Sequence, residues 1–223
     1  MNEKYGKCAA CPFRTEERLC RIPDGRAPKD CSTTIYEAQI SQAVQKMEQQ
    51  KDLMEFARQA ALQEAACYGE SPYDPAKRMP LKPRILEIIE FARRMDYRRL
   101  GLAFCIGLKN EAAALDTILT SHGFEVVSVC CKVGGVDKCF LGLTEDEKIH
   151  CGHESMCNPV AQAAILNKEK TDLNLMLGLC VGHDSLFIKF AQAPVTVVAV
   201  KDRLLGHNPL AALYSGYFAY LKK

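Results

Sequence analysis

The sequence predicts an α/β fold: a Rossmann-like parallel sheet of about four strands, preceded by a cysteine-rich metal knuckle and helices. Three observations support this prediction. From about residue 97 onward, short apolar runs alternate with helical patterns. Residues 34–96 show mainly helical periodicity. Residues 1–31 contain four cysteines and little periodic apolar pattern, so this segment needs a staple to hold a fold.

Three segments are therefore expected. Residues 1–33 form the metal knuckle, 34–96 a helical segment that packs on the main domain, and 97–223 a Rossmann-like domain with a cysteine-lined site. The helical segment begins as one apolar-striped helix from about Thr34 to Cys67. The proline-rich stretch YGESPYDPAKRMPLKP interrupts it, and RILEIIEFARRM follows as a second helix.

The main domain is predicted to contain four strands, each followed in the chain by a helix. The strands are RLGLAFCIG, FEVVSVCC, DLNLMLGLC and PVTVVAV. The helices are NEAAALDTILTSHG, NPVAQAAILNKE, DSLFIKFAQ and NPLAALYSGYFAYL. Asn158 is a typical N-cap and Pro159 a typical first helical residue. Residues 132–157 are predicted as a long loop region.

Composition excludes several classes of protein. Of the 223 residues, 48% are apolar and 25% are charged, which suits a globular chain with a sizeable core. The net charge of +2 argues against nucleic-acid or membrane-surface binding. The N-terminus lacks the apolar region of a secretory signal, and no apolar run approaches the ~20 residues of a membrane span. We expect a cytoplasmic protein with no nucleic-acid and no membrane partner.

Cysteine is unusually frequent, at 12 of 223 residues, and tryptophan is absent. Without a secretion signal, many cysteines favour metal or redox chemistry over structural disulfides. An isolated cysteine is also commonly a small buried apolar side chain. Clusters of cysteines therefore matter more than single ones.

The first cluster contains Cys8, Cys11, Cys20 and Cys31. The C-x2-C pair lets two thiolates hold one ion from a tight turn, and two further thiolates complete a tetrahedral zinc site. Four thiolates also hold a [4Fe–4S] cluster, and Pro12 after Cys11 resembles the Cys-Pro of some cluster loops. The alternative is a C-x2-C redox pair or chance. We predict a metal site that holds zinc or a [4Fe–4S] cluster.

The second cluster lies at the ends of predicted strands and at a helix start: Cys105, Cys131, Cys157 and Cys180. In a parallel sheet, ligands bind outside the carboxyl ends of the strands, where the strand order reverses. With the strand order 2-1-3-4, the first and third strands deliver neighbouring cysteines. We predict an iron–sulfur cluster or another metal here. Small buried cysteines are the alternative, and the pattern does not decide whether Cys130 or Cys131 faces the site.

Cys180 has a second interpretation. The stretch GLCVG fits G-x-C-x-G, the thiol form of a nucleophile elbow, in which a strained strand-to-helix turn exposes the sulfur. His183 is a candidate base, although closeness in sequence does not place it. A nucleophile needs one sulfur, whereas several cysteines converge here, so a metal site is favoured. Cys180 and His183 remain catalytic candidates of an alternative function.

Three more residues at the same edge are candidate cofactor-binding positions: Gly107, Gly182 and Lys201. Each glycine stands two residues after a cysteine, near the start of a helix. Lys201 begins the segment KDR after the fourth predicted strand, where it suits an anionic substrate or lies in a solvated turn. No P-loop and no complete G-x-G-x-x-G pattern is present, so nucleotide binding is not supported.

The stretch HCGHESMC contains two histidines and two cysteines, and it either ligates a metal or forms a polar loop over the site. His150, Cys151 and His153 therefore have no assigned role. Cys139 lies in a glycine-rich segment and is expected to be structural or incidental.

The stretches CAACPF, SVCCKVGG, MCNPVAQA and GLCVGHDSLFIK…APVTVVAVKDR resemble an uncharacterised prokaryotic family of cysteine-rich proteins that are labelled only as metal-binding. The resemblance covers nearly the whole chain. It implies metal binding by Cys8, Cys11, Cys131, Cys157 and Cys180, in a cytoplasmic protein of anaerobic or facultative microbes. It implies no reaction.

The expected function is therefore metal binding, by zinc and/or iron–sulfur sites, in the service of redox or small-molecule chemistry. The expected partners are metal ions and a small molecule or an electron-transfer protein. Two alternatives stay open. One is a cysteine-nucleophile enzyme that uses Cys180 and contains a structural zinc. The other is a non-catalytic metal carrier or sensor.

Overall fold

The computed structural model describes residues 5–74 and 76–222. The chain forms two compact units, one up to Leu62 and the other from Gln63. Within the described residues, no helix combines the length and apolarity that crossing a membrane requires.

The N-terminal unit begins with 3-10 turns at Cys8–Ala10 and Thr15–Glu17. Three helices follow: α1 (Ser32–Ile35), α2 (Glu37–Gln49) and α3 (Lys51–Ala66), the last of which continues past Leu62. None of residues 5–62 is buried. Little apolar surface is therefore removed from water in this unit, as the cysteine-rich composition of its first part predicts.

The prediction of a single helix from Thr34 to Cys67 is wrong, because three helices occupy this range. The chain breaks at Tyr36 and again at Gln50, whose backbone is extended with φ −113° and ψ 96°. Neither break is marked by a glycine or a proline, which are the residues that normally signal one. The apolar stripe therefore predicted helical structure correctly but not its interruptions.

The second unit opens with a short antiparallel hairpin of β1 (Tyr68–Glu70) and β2 (Arg78–Pro80). Helix α4 (Arg84–Arg94) follows, close to its predicted bounds. The hairpin was not predicted, because its strands are three residues long and rich in glycine and proline, which are uncommon in strands.

The main sheet has four parallel strands in the order β4-β3-β5-β6. These strands are β3 (Arg99–Phe104), β4 (Glu125–Cys130), β5 (Leu173–Leu177) and β6 (Val195–Ala199). The connecting helices are α5 (Lys109–Ser121), α6 (Pro159–Lys168) and α7 (His183–Phe190). The α/β class and the four-stranded parallel sheet are confirmed, and the order is the one in which the first and third predicted strands are neighbours.

Apolar side chains cover both faces of this sheet. Leu102 and Leu175 belong to the cluster that includes residues of α4 and α5. Ala103 and Met176 belong to the other cluster, together with Phe187 of α7. Successive strand residues point to opposite faces, so a strand covered on both faces is mostly apolar. β5 is fully buried, and Asn174 is its one polar residue.

Helix α6 is anchored to the sheet by polar contacts. Asn158 caps it, since the Asn158 side chain accepts a hydrogen bond from the Ala161 N–H at 2.9 Å. The buried Gln162 amide donates to the Val129 carbonyl at 2.7 Å and to the Phe104 carbonyl at 3.3 Å. These bonds hold the N-terminus of α6 against the carboxyl ends of β3 and β4.

The prediction of one terminal helix over NPLAALYSGYFAYL is wrong. The structure has a short helix α8 (Ala211–Tyr214) and a separate 3-10 segment (Gly216–Lys222). Ser215 between them is extended, with φ −78° and ψ 127°. Glycine at the next position lowers helix propensity further.

Candidate functional site

A pocket of about 730 Å³ opens at the carboxyl edge of the sheet. Four cysteines from four separate chain segments line it: Cys105 after β3, Cys131 after β4, Cys157 before α6, and Cys180 between β5 and α7. Cys130 is not among the lining residues; its sulfur accepts a hydrogen bond from the Lys132 N–H at 3.5 Å. Of the two adjacent cysteines, Cys131 therefore faces the pocket.

The strand order explains this convergence. The chain passes from β3 to β4 on one side and then returns across β3 to form β5 on the other. The connections thus diverge between β3 and β5, which leaves a crevice at their carboxyl ends. The Cys105 N–H donates to the Leu177 carbonyl at 3.1 Å, so the end of β3 stays registered with the end of β5.

The sulfurs of Cys131 and Cys157 are 3.8 Å apart. Cys131 is buried, with 2% of its surface exposed, whereas Cys157 is half-buried. Hydrogen bonding from the Cys131 thiol, together with the positive charges of Lys132 and His183, lowers the pKa of Cys157 to about 5. The same hydrogen bond and burial raise the pKa of Cys131. The pair thus holds a proton on Cys131 and a thiolate on Cys157 at neutral pH.

Cys180 has a different environment. The Arg203 guanidinium donates a hydrogen bond to its sulfur at 3.0 Å. The turn around it obtains its left-handed residues from Gly178, with φ +66°, and Gly182, with φ +85°, so Cys180 itself is not strained. The strained elbow that the alternative nucleophile interpretation requires is therefore absent at Cys180. Within the described chain, His183 lines the pocket but makes no hydrogen bond to Cys180.

Two of the three candidate cofactor positions line the pocket: Gly107 and Lys201. A methyl group on Gly107 would lie 3.6 Å from the Lys201 Nζ and 4.0 Å from the Cys105 sulfur. The missing side chain at Gly107 thus leaves space between an ammonium and a thiol. Gly182 is not a lining residue; it precedes α7, where its positive φ turns the chain into the helix.

The loop of residues 132–157 forms the outer wall, and ion pairs organise it. Lys138 pairs with Glu154 at 2.7 Å. Lys148 pairs with Glu145 at 2.7 Å and Asp137 at 3.3 Å. The Lys138 ammonium lowers the pKa of Glu154 to about 2, and hydrogen bonds from Cys139 lower the pKa of Asp137 strongly. A loop predicted only as polar is therefore an ordered structure.

The same loop contains the histidines and cysteines that the sequence left without a role. His150 and His153 line the pocket, whereas Cys139 and Cys151 are exposed and do not. The sequence pattern did not indicate six further lining residues, Lys132, Lys138, Leu141, Leu143, Ile149 and Met156. No local motif identifies them, because the ion pairs and turns of the loop bring them to the pocket.

The N-terminal unit contains a second, much smaller pocket of about 50 Å³. All four cysteines of the first cluster line it: Cys8, Cys11, Cys20 and Cys31. The C-x2-C pair spans a 3-10 turn, in which the Cys11 N–H donates to the Cys8 carbonyl at 3.2 Å. Cys31 stands immediately before α1, and a hydrogen bond from the backbone of Thr33 lowers its pKa.

The charged residues that line this small pocket are Lys7, Arg18 and Arg26. Within the described residues, no acidic side chain lines it. As the side chains stand in residues 5–74 and 76–222, no three His, Cys, Asp or Glu side chains form a group set to hold a metal ion. The thiols of each cluster thus share a pocket without being in coordination geometry.

Two comparisons place the chain among known proteins. Residues 31–198 match the family described as "Protein of unknown function (DUF1847)". This range includes all four cysteines of the sheet-edge pocket and begins at Cys31 of the N-terminal cluster. An uncharacterised protein of Methanocaldococcus jannaschii is 43% identical over 220 residues, which cover 97% of each chain. The chain therefore belongs to the DUF1847 family, whose function is unknown.

Proposed function

We propose that this protein binds metal through cysteine thiolates, with one site in the N-terminal unit and a second at the edge of the Rossmann-like α/β domain. The observation that carries this proposal is the shared pocket of Cys8, Cys11, Cys20 and Cys31. These cysteines span 24 residues of sequence, in a unit without a buried core. A metal would supply the staple that such a small unit needs.

The donor set of the N-terminal site suits zinc or a [4Fe–4S] cluster, because both accept four thiolates and no further ligand. Soft thiolates disfavour magnesium and calcium, which prefer oxygen ligands. Each cysteine sulfur turns about one χ1 bond. Metal binding therefore requires rotation of the thiols into the pocket that they already line.

The cationic residues around this site suit a negatively charged metal–thiolate centre. Four thiolates with one Zn²⁺ carry a net charge of −2. Lys7, Arg18 and Arg26 line the pocket and offset that charge. Arg26 is already paired with Glu17 at 3.1 Å, so Lys7 and Arg18 would supply most of this compensation.

The second site would use Cys105, Cys131, Cys157 and Cys180, with an iron–sulfur cluster or another thiophilic metal as its occupant. The pocket of about 730 Å³ is large enough for a cluster beside a small molecule. Redox chemistry with an electron-transfer partner, or chemistry on that small molecule, would then occur at the open side of the site. All 12 cysteines are free thiols, which supports a reducing compartment such as the cytoplasm.

Anaerobic purification followed by metal and sulfide analysis tests this proposal. We expect zinc, or iron with sulfide and visible absorption, in the full chain. A Cys8→Ser and Cys11→Ser double variant should lose the N-terminal metal, whereas a Cys157→Ser variant should lose only the second one. Cys139→Ser is the matched control, because Cys139 lies outside both pockets. Metal-free protein that takes up neither zinc nor iron after reduction would refute the proposal.

A second candidate function is a cysteine-dependent enzyme, which the Cys131–Cys157 pair favours. A half-buried sulfur that faces a pocket, 3.8 Å from a buried thiol, is suited to nucleophilic attack. The nucleophile would then be Cys157 rather than Cys180. A turnover that survives complete removal of metal but is abolished by alkylation of Cys157 would favour this function. A non-catalytic carrier or sensor would instead release metal reversibly without turnover.

A further inference from the structure

The sheet-edge pocket contains more positive charge than its acidic groups can neutralise. Four of its lining residues are lysine or arginine: Lys132, Lys138, Lys201 and Arg203. Its acidic groups are the carboxyl of Glu154 and the thiol of Cys157, whose pKa the Cys131 thiol and the Lys132 ammonium lower to about 5. Glu154 pairs with Lys138 at 2.7 Å and also accepts hydrogen bonds from backbone N–H groups of the loop. Its charge is therefore already compensated on the loop side of the pocket.

The remaining three cations differ in how they are held. The Lys132 ammonium donates to the Ser155 carbonyl and so belongs to the loop wall. Lys201 makes no hydrogen bond or ion pair within the described residues. Arg203 donates to the sulfur of Cys180 at 3.0 Å and has no carboxylate partner in that part of the chain. Among the described residues, the positive charges of Lys201 and Arg203, just after β6, thus have no carboxylate partner.

Asp202 lies between these two cations in sequence but does not neutralise them. Its carboxylate accepts hydrogen bonds from the N–H groups of Leu204 at 3.0 Å and Leu205 at 2.8 Å. The carboxylate thus stabilises its own turn and is not among the residues that line the pocket. The turn presents Lys201 and Arg203 to the pocket while it holds the intervening negative charge elsewhere.

The space beside these cations is open. Gly107 has no side chain to fill it, and a methyl group there would lie 3.6 Å from the Lys201 Nζ. Helices α6 and α7 begin at this edge of the sheet, close to Cys157 and at His183. Helix N-termini carry partial positive charge and favour anions. The cationic side chains and the helix N-termini thus both favour an anion in this part of the pocket.

Part of the loop side of the pocket is apolar, beside the polar residues His150, His153, Glu154 and Ser155, and the pocket exceeds the size of an inorganic ion. Its volume of about 730 Å³ lies within the range of small-molecule sites. Leu141, Leu143, Ile149 and Met156 line it on the loop side. A ligand could therefore place an anionic group beside the two cations and a less polar part against these apolar side chains.

We propose that the sheet-edge pocket binds a small organic anion, whose phosphate or carboxylate group is held by Lys201 and Arg203 beside Gly107. This inference goes beyond metal binding and does not require a metal. The ligand would lie next to the thiols of Cys105 and Cys180, so its reactive part would be close to the proposed second metal site.

Binding of two probes, inorganic phosphate and malonate, to the metal-free full chain tests this proposal by isothermal titration calorimetry. We expect at least one of them to bind with a Kd in the millimolar range or below. Lys201→Met and Arg203→Met should each weaken that binding roughly tenfold or more. Lys189→Met, which removes a lysine of α7 outside the pocket, should leave it unchanged. Tighter phosphate binding would indicate a phosphorylated ligand, and tighter malonate binding a carboxylate.

Two results would contradict the proposal of an anion site. One is the absence of binding by both probes, and the other is equal weakening by Lys201→Met and Lys189→Met. Lys201→Arg keeps the charge and should bind like the unaltered protein, so it separates charge from folding defects. Metal analysis of the same preparation keeps the two proposals apart: metal uptake without anion binding would remove only this inference.

Discussion

The sulfur of Cys157 lies 3.8 Å from the sulfur of Cys131, although 26 residues separate them in sequence. Two backbone contacts hold this relationship in place. The Asn158 N–H donates to the Cys131 carbonyl at 2.8 Å, and the Ile106 N–H donates to the Cys131 sulfur at 3.3 Å. The start of α6 and the ends of β3 and β4 thereby place the buried thiol of Cys131 beside the half-buried Cys157, whose pKa it lowers.

The first prediction concerns the reactivity of Cys157. In metal-free protein, its alkylation rate by iodoacetamide should rise through about pH 5 and be level at neutral pH, because the thiolate is the nucleophile. An ordinary thiol changes near pH ~8.5. Mass spectrometry of labelled peptides across the pH range measures this. Cys131→Ala should move the midpoint upward, since it removes the hydrogen-bond donor, whereas Cys139→Ala should not. A midpoint near the ordinary value in the unaltered protein would contradict the assignment.

The second prediction concerns the acid stability of the 132–157 loop. The folded pKa of Glu154 is about 2, below the ~4.3 of an unfolded glutamate. Its ion pair with Lys138 therefore stabilises the loop above pH ~4.3, and this contribution is lost as the pH falls toward ~2. Pepsin, which is active in acid, should cleave the loop increasingly over that window.

A Glu154→Gln variant checks the cause of this acid effect. Because it lacks the ion pair at every pH, its loop should be cleaved more readily near pH ~5 and should show a weaker pH dependence. Identical cleavage profiles for the variant and the unaltered protein would show that this ion pair does not hold the loop.

The third prediction concerns the N-cap of α6. Asn158→Ala should destabilise the second unit by about 1 kcal/mol, because the Ala161 N–H loses its acceptor. Chemical denaturation followed by circular dichroism measures the change, since the chain has no tryptophan. Asn110→Ala, on the exposed first turn of α5, should change stability by less than about 0.5 kcal/mol. Equal effects of the two substitutions would argue against the cap.

The fourth prediction concerns the core beneath α7. Phe187 is fully buried, at 0% exposure. Phe187→Ala should therefore cost about 3–5 kcal/mol in the free energy of unfolding, through lost burial and the cavity left behind. Phe190 lies on the same helix with 46% exposure, so Phe190→Ala should cost much less. Denaturant unfolding of both variants gives the comparison, and similar costs would show that α7 is not packed as described.

The fifth prediction concerns the close approach of α6 and β5 to Gly101 in β3. A methyl group at this position would lie 2.1 Å from the Asn174 Oδ1 and 2.8 Å from the Leu166 Cδ1. Gly101→Ala should destabilise the protein by about 1–3 kcal/mol, because buried neighbours must move. Gly107→Ala meets nothing closer than 3.6 Å and should have a small effect on stability. A neutral Gly101→Ala would show that the packing there is looser.

Much of the fold follows from local sequence. Largely apolar strands such as β5 and the Asn158-Pro159 helix start are recognisable because strand burial, proline geometry and capping act over a few residues. The breaks at Tyr36 and Gln50 and the end of the last helix at Ser215 were not predicted. Propensity there is weak, and neighbouring structure decides the backbone conformation.

Local sequence predicted the α/β class with a parallel sheet and indicated two groups of cysteines as sites of interest. The strand order 2-1-3-4 was only a condition of that prediction, and the folded chain established it. The folded arrangement of distant segments establishes that Cys131 rather than Cys130 faces the pocket and that Cys157 lies beside it. It also leaves Lys201 and Arg203 without an acidic partner among residues 5–74 and 76–222. The physical reason is that periodicity records which face of an element is buried. Distances between side chains, and the compensation of their charges, depend on segments that are far apart in sequence and meet only in the folded chain.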